Sequence, residues 1–165
     1  MKKHLLISAL LFVIAHASFG QNYMRDAGIR ISDEVYLSYR TYYKQDMAVE
    51  FMLGYQDQGL RLMVLREYFQ PVLQQHSENF NFVYGYGLHI GAAYTNKYRI
   101  LFREYEHDYK LTALFGLNGL VGIEYQIPEV PILCAISLKP FFEYSWSQFF
   151  RINALDASFT LKYRF

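Results

Sequence analysis

Cysteine is nearly absent from this chain: among 165 residues there is one, Cys134. That excludes an intrachain disulfide and argues against a cysteine-rich zinc site. Proline is scarce as well, at four residues, and with 53% apolar side chains the sequence does not read as disordered. Neither sign of charge dominates. Lysine and arginine number 16 and aspartate and glutamate 15, so there is no basic field for nucleic acid. Past the amino terminus, no stretch approaches the ~18 uncharged apolar residues of a membrane helix. The length of 165 residues leaves room for one domain.

Aromatic residues are abundant, with 16 Tyr, 14 Phe and 1 Trp. Such side chains favour strands over a helical bundle rich in Ala, Glu and Lys. The opening, MKKHLLISALLFVIAHASFGQN, reads as a secretory signal peptide over residues 1–20. Lys2 and Lys3 supply its positive region, and residues 5–15 form an apolar run too short to cross ~30 Å of hydrocarbon. Small-x-small sites follow at Ala15-His16-Ala17 and Ser18-Phe19-Gly20, which puts the mature start near Gln21. Without Lys2 and Lys3, 14 basic side chains face 15 acidic ones. Residues 21–165 are then the folded domain.

That domain alternates. In 47–55, Met47, Val49, Phe51, Leu53 and Tyr55 share one face, and Ala48, Glu50, Met52 and Gly54 share the other. In 80–94 the first face runs Phe80, Phe82, Tyr84, Tyr86, Leu88, Ile90, Ala92, Tyr94, and the second is Asn, Val, Gly, Gly, His, Gly, Ala. In 155–165, Leu155, Ala157, Phe159, Leu161, Tyr163 and Phe165 oppose Asp156, Ser158, Thr160, Lys162 and Arg164. Period two is the signature of strands. Eight are predicted, near 26–32, 35–43, 47–55, 58–69, 80–94, 111–127, 131–146 and 150–165. Polar or proline-bearing breakers separate several of them, including Ser32-Asp33-Glu34, Lys44-Gln45-Asp46 and Pro128-Glu129-Val130-Pro131.

Alternation fits a soluble barrel or a membrane barrel, and the less apolar face separates them. A water-exposed face would carry Lys, Glu, Thr and Gln. Here it carries small residues and isolated charges, which suits a crowded lumen, while the opposite face is long, aromatic and nearly uncharged. The expectation is an all-β fold: an eight-stranded antiparallel up-and-down transmembrane barrel. With both termini in the periplasm, Tyr55, Tyr94 and Trp146 fall at the outer edge. Tyr43, Tyr68, Phe80, Tyr125, Tyr163 and Phe165 fall at the inner edge, giving the two aromatic girdles of an outer-membrane protein. Arg66 is the one charge that falls on the lipid face, near the inner edge, where either it snorkels or a bulge shifts the register.

The terminal LKYRF, with Leu161, Tyr163 and Phe165 at alternate positions, resembles the carboxy-terminal insertion signal of bacterial outer-membrane proteins. The segments GLNGLVGIEYQIPEVPI and AISLKPFFEY resemble the small outer-membrane barrels common in Bacteroidota, of the OmpA/OmpW-like class. Those proteins share a glycine-spaced strand, a tight turn with Ile-Pro, and a Leu-Lys-Pro strand. The resemblance spans about 28–165. It implies an outer-membrane location, a lipid environment and recognition of the chain end by the barrel assembly machinery. It brings no catalytic residues and no cofactor. Asn118 stands where such proteins would carry an acid.

Eight strands enclose a space just wide enough for side chains. Strand parity turns Arg30, Arg40, Glu50, Arg61, Glu67, Glu124, Lys139, Glu143 and Arg164 inward. Balanced charges in that space should pair and plug the lumen, since buried charges need partners. Glu124 and Lys139 are expected to share this plug, diagonally or through Arg61 or Glu50. A narrow ion path is the sharper alternative. A lipid-modifying enzyme would need histidine, serine and an acid held together. His76-Ser77-Glu78 sits in a predicted turn, His89 points inward, and His107 lies in the predicted loop 95–110. None carries a diagnostic spacing, so no catalytic or metal residues are assigned. Loop 95–110 is the candidate surface for a polysaccharide or a membrane-complex partner. Cys134 falls on the lipid-facing parity, as a small hydrophobe.

Overall fold

A computed structural model describes residues 25–56, 59–72, 79–100, 103–145 and 149–165, with the backbone alone at 56, 95–100, 103–110 and 149–151. The expected signal peptide and Trp146 lie outside the described residues. Among the described residues ten strand segments appear: β1 (Arg25–Ile31), β2 (Val35–Lys44), β3 (Met47–Gln56), β4 (Gly59–Pro71), β5 (Phe80–Ile100), β6 (Arg103–Gln126), β7 (Ile132–Leu138), β8 (Phe141–Ser145), β9 (Phe149–Asn153) and β10 (Ala157–Arg164). All pairings are antiparallel. β7 and β8 both lie along β6 and form one stave, and β9 with β10 form another. Ten segments therefore make eight staves. β1 pairs with β10, with Ile29 facing Leu161 and Ala27 facing Tyr163, so the sheet closes into a barrel without an edge.

The two broken staves have a local cause. Pro140 offers no N–H to the ladder. The register along β6 survives it, with Val121 facing Leu138 and Asn118 facing Phe141. On the other side the register steps. Ala157 faces Leu138 but Asn153 faces Phe141, so residues 154–156 stand against only Lys139 and Pro140. This is a bulge, and it turns Asp156 into the barrel.

The expected loop over 95–110 is corrected. Its backbone is paired, Thr95 with Lys110, Lys97 with Glu106 and Ile100 with Arg103, with a register shift between Thr95 and Lys97. β5 and β6 run 21 and 24 residues, about twice the ~9–11 that cross a membrane. Past the bilayer a hairpin needs no apolar face, so its alternation stops before its hydrogen bonding does.

The two faces separate by chemistry. Leu37, Leu88 and Ile136 point outward and are 61%, 61% and 68% exposed, whereas Arg40, Glu50 and Lys139 point inward and are buried. Apolar outside and charged inside is the polarity of a barrel that meets lipid. Tyr43, Tyr55 and Tyr94 are exposed on the outward face, while Tyr68 and Tyr125 are half-buried. Phe80 and Tyr125 pack at 4.5 Å at the end that bears the termini. At the same end Phe165 donates its N–H to Arg25 O at 2.9 Å, and its ring stacks on Tyr163.

Large inward side chains lie across glycines. Tyr36 faces Gly54 on the neighbouring stave, and a Cβ there would stand 2.3 Å from the ring. His89 lies over Gly116 in the same way, at 2.5 Å. Beside them Met52, Met63, Leu65, Val83 and Leu120 fill the interior with Tyr36. Gly54→Ala should therefore displace the Tyr36 ring and cost roughly 1–3 kcal/mol. The urea midpoint of the folded barrel in vesicles measures it, and an unchanged midpoint would show that the ring has room to move.

Candidate functional site

The interior is a set of ion clusters. Lumen-facing carboxylates are Asp26, Glu34, Glu50, Glu67, Glu124, Glu143 and Asp156, and the cations are Arg30, Arg40, Arg61, Lys139, Lys162 and the partly exposed Arg164. Among the described residues seven against six is near balance, so pairing within the protein can satisfy almost all of them.

Arg40 on β2 holds the first cluster. Its Nε donates to Asp26 at 2.8 Å, and Nη1 donates to Glu124 at 2.8 Å and to Glu67 at 3.3 Å. The guanidinium lies 5.1 Å from the Tyr42 ring centre and 4.9 Å from that of Phe69. Arg164 reaches in from β10, donating to Asp26 Oδ1 at 2.8 Å and to the Tyr42 hydroxyl at 2.8 Å. Tyr42 in turn donates to Asp26 at 2.8 Å. Lys162 and Ser38 both bond Glu50 on the same side.

A second cluster lies toward the opposite end. Arg61 on β4 joins Glu34 to Glu143, the latter at 3.0 Å. Tyr36 donates to Glu34. His89 Nε2 lies 2.9 Å from a Glu143 carboxylate oxygen, and Nδ1 lies 2.9 Å from the Asn118 amide nitrogen and 3.2 Å from its oxygen. Phe141 meets the imidazole edge to face. Asn118 thus presents both a donor and an acceptor to the imidazole, whereas an ionised acid at that position could only accept.

Lys139 forms a third contact, with Asp156 at 3.1 Å, at the bulge. Its ammonium lies 4.3 Å from the Tyr36 ring centre. This corrects the expected meeting of Glu124 and Lys139. Glu124 belongs to Arg40 and Arg164, and Lys139 belongs to Asp156. β6 and β7 are direct neighbours, and Glu124 faces Ala135 there, so Lys139 stands four residues farther from the turn and out of its reach.

Arg30 differs from the rest. Its Nε and Nη2 are buried without a hydrogen-bond partner among the described residues. They border a space of about 20 Å³ with Ser137, Thr160 and Lys162, enough for a water molecule.

The structure thus turns Arg30, Arg40, Glu50, Arg61, Glu67, Glu124, Lys139 and Glu143 into the barrel and brings most of them together. Sequence reasoning left Asp26, Glu34, Asp156 and Lys162 out of the set. Asp156 and Lys162 share the parity of Arg164, and Asp26 that of Arg30, so the alternation carried those three. Glu34 lay hidden in a predicted turn. The candidates at His76, Ser77 and Glu78, and the side chain of His107, lie outside the described residues. Among the described residues no group of three or more His, Cys, Asp or Glu is placed to hold a metal.

Fold and lumen together define an outer-membrane-type barrel of eight staves. A solved structure shares it: the N-terminal β-barrel domain of Pseudomonas aeruginosa OprF, with a TM-score of 0.57 and 13% identity, covering 86% of this chain and 95% of that one. The likeness is one of fold. No protein-family model matches the chain, and no curated protein does.

Arg40→Met should leave Asp26, Glu67 and Glu124 without their shared cation in a confined space, at roughly 3–5 kcal/mol. The folded band should then be lost at a lower temperature on a heat-shift gel. Adding Glu124→Gln should recover part of the loss, because the two groups are coupled. Simple additivity would show that Arg40 does not hold Glu124.

Proposed function

We propose that the chain is a small integral protein of a bacterial outer membrane, of the kind common in Bacteroidota, exported by residues 1–20. Its lumen is closed by its own side chains, and its role is structural or interactive, neither catalytic nor conductive. The observation that carries this is the Arg40 cluster, which joins side chains from five of the eight staves across the interior. An open pore would leave these groups to water, and there would be no need to pair them so closely.

The interactive part of the reading rests on the β5–β6 hairpin. Its extension over 95–110 stands beyond the length needed to cross a bilayer. It offers a backbone-paired projection to surface polysaccharide or to another membrane complex. Leu161, Tyr163 and Phe165 would address the nascent chain to the barrel assembly machinery.

Planar bilayers holding the purified barrel should show no regular unitary current steps. Regular steps at the wild-type sequence would replace the plug with a channel. Deleting Phe165, or changing it to Asp, removes its ring from beside Tyr163 on the closing stave and should leave most of the protein unfolded in the periplasm. Normal yield of folded protein in the outer membrane after either change would remove the terminal signal from the account.

A further inference from the structure

β4 carries a cation on its outward face, among groups that otherwise suit hydrocarbon. β4 turns Leu60, Leu62, Val64 and Arg66 outward, and Arg66 is exposed. It has no carboxylate partner among the described residues. Its Nε donates to the Tyr43 hydroxyl at 2.9 Å. Its guanidinium lies 5.8 Å from the Tyr43 ring centre and 5.4 Å from that of Tyr68. Tyr68 is held in turn by stacking on Tyr84 at 5.3 Å and Tyr86 at 6.2 Å. The arginine is thus fixed by rings on three staves, with one of its three nitrogens committed. The N–H groups of Nη1 and Nη2 meet no acceptor among the described residues.

The height of this group matters. Arg66 pairs with Val49, two residues above Met47, where β3 leaves its turn. Two residues on a tilted strand are roughly 5 Å. That places the guanidinium at the rim of the apolar belt, at the end of the barrel that holds the termini. A bare cation there needs an anion, and the described protein offers none. The open fork of Nη1 and Nη2 matches a phosphate in two-pronged fashion. Above it Val64, Phe51 and Leu88 continue the apolar wall that acyl chains would cover.

We propose that Arg66, positioned by Tyr43 and Tyr68, binds the phosphate of a membrane phospholipid in the leaflet at the terminal end of the barrel. This rests on the membrane reading, and the lipid is chosen over free phosphate because the apolar wall runs on from the cation. Tyr43 fixes the guanidinium through Nε, and Tyr68 supports it from beneath.

The test uses the folded full-length barrel after export. Insertion into phosphatidylcholine vesicles is scored first by the heat-shift gel. Native mass spectrometry then measures retention of phosphatidylglycerol, of diacylglycerol with the same chains, and of inorganic phosphate. The wild type should retain phosphatidylglycerol at about tenfold lower concentration than Arg66→Met, with Arg66→Lys between them because lysine lacks the fork. Tyr43→Phe should weaken retention less than Arg66→Met. Equal retention by wild type and Arg66→Met, in barrels that insert equally, overturns the site. Equal retention of diacylglycerol makes it simple apolar adhesion and also overturns it. Displacement of the lipid by millimolar inorganic phosphate would make it a free-phosphate site and overturn the lipid assignment. A barrel that fails to insert at all overturns the membrane reading itself, a result distinct from the others.

Discussion

A guanidinium enclosed by protein must find its counter-charges in that protein, and Arg40 shows what this demands. It lies on β2, Asp26 on β1, Glu67 on β4, Glu124 on β6, and Arg164, sharing Asp26 and Glu124, on β10. Satisfying this cation and its neighbour Arg164 therefore fixes the relative height of five staves. Removing a single partner from such a set costs several kcal/mol, a large part of the stability of a small domain. The same demand sorts the faces. Charges that would cost roughly 2–4 kcal/mol each at the lipid midplane are turned inward, where they neutralise one another. The outward face is then free to be apolar.

Packing follows from the same confinement. Eight strands enclose little more than side-chain volume. Tyr36, His89 and Arg61 are long, and each crosses a glycine on the facing stave, at Gly54, Gly116 and Gly91. Glycine here is a matter of space. The ladder of small residues that marks β5 and β6 is the imprint of the side chains lying over it. The bulge at 154–156 does related work, since the extra residue brings Asp156 to Lys139 beside the break at Pro140.

Much of this was legible in the alternation. Period two in 47–55, 80–94 and 155–165 specifies both the strands and their inward faces, because slipping by one residue would turn every side chain over. Arg66 stood out as a lone outward charge for the same reason. The partners of the charges were not legible. Parity says that Glu124 and Lys139 both point inward, but the β6–β7 register puts Ala135 opposite Glu124, and partners such as Arg40 and Asp156 come from staves or bulges that parity does not specify. The β5–β6 extension was missed because Arg103-Glu104-Tyr105-Glu106-His107-Asp108 has the composition of a solvated loop. Backbone pairing beyond the bilayer requires no apolar face, so composition alone does not reveal it.

The central claim is that the lumen is closed by paired charges. Ser137 is a buried, small lumen residue that no ion pair requires, so it can report on access. In a Cys134→Ala background, Ser137→Cys can be exposed to a small charged thiol reagent in the folded barrel and again after unfolding. Closure predicts negligible labelling of the folded protein and complete labelling of the unfolded one. Labelling of the folded barrel at the unfolded rate would mean that water and ions reach the lumen, and the paired plug would be wrong.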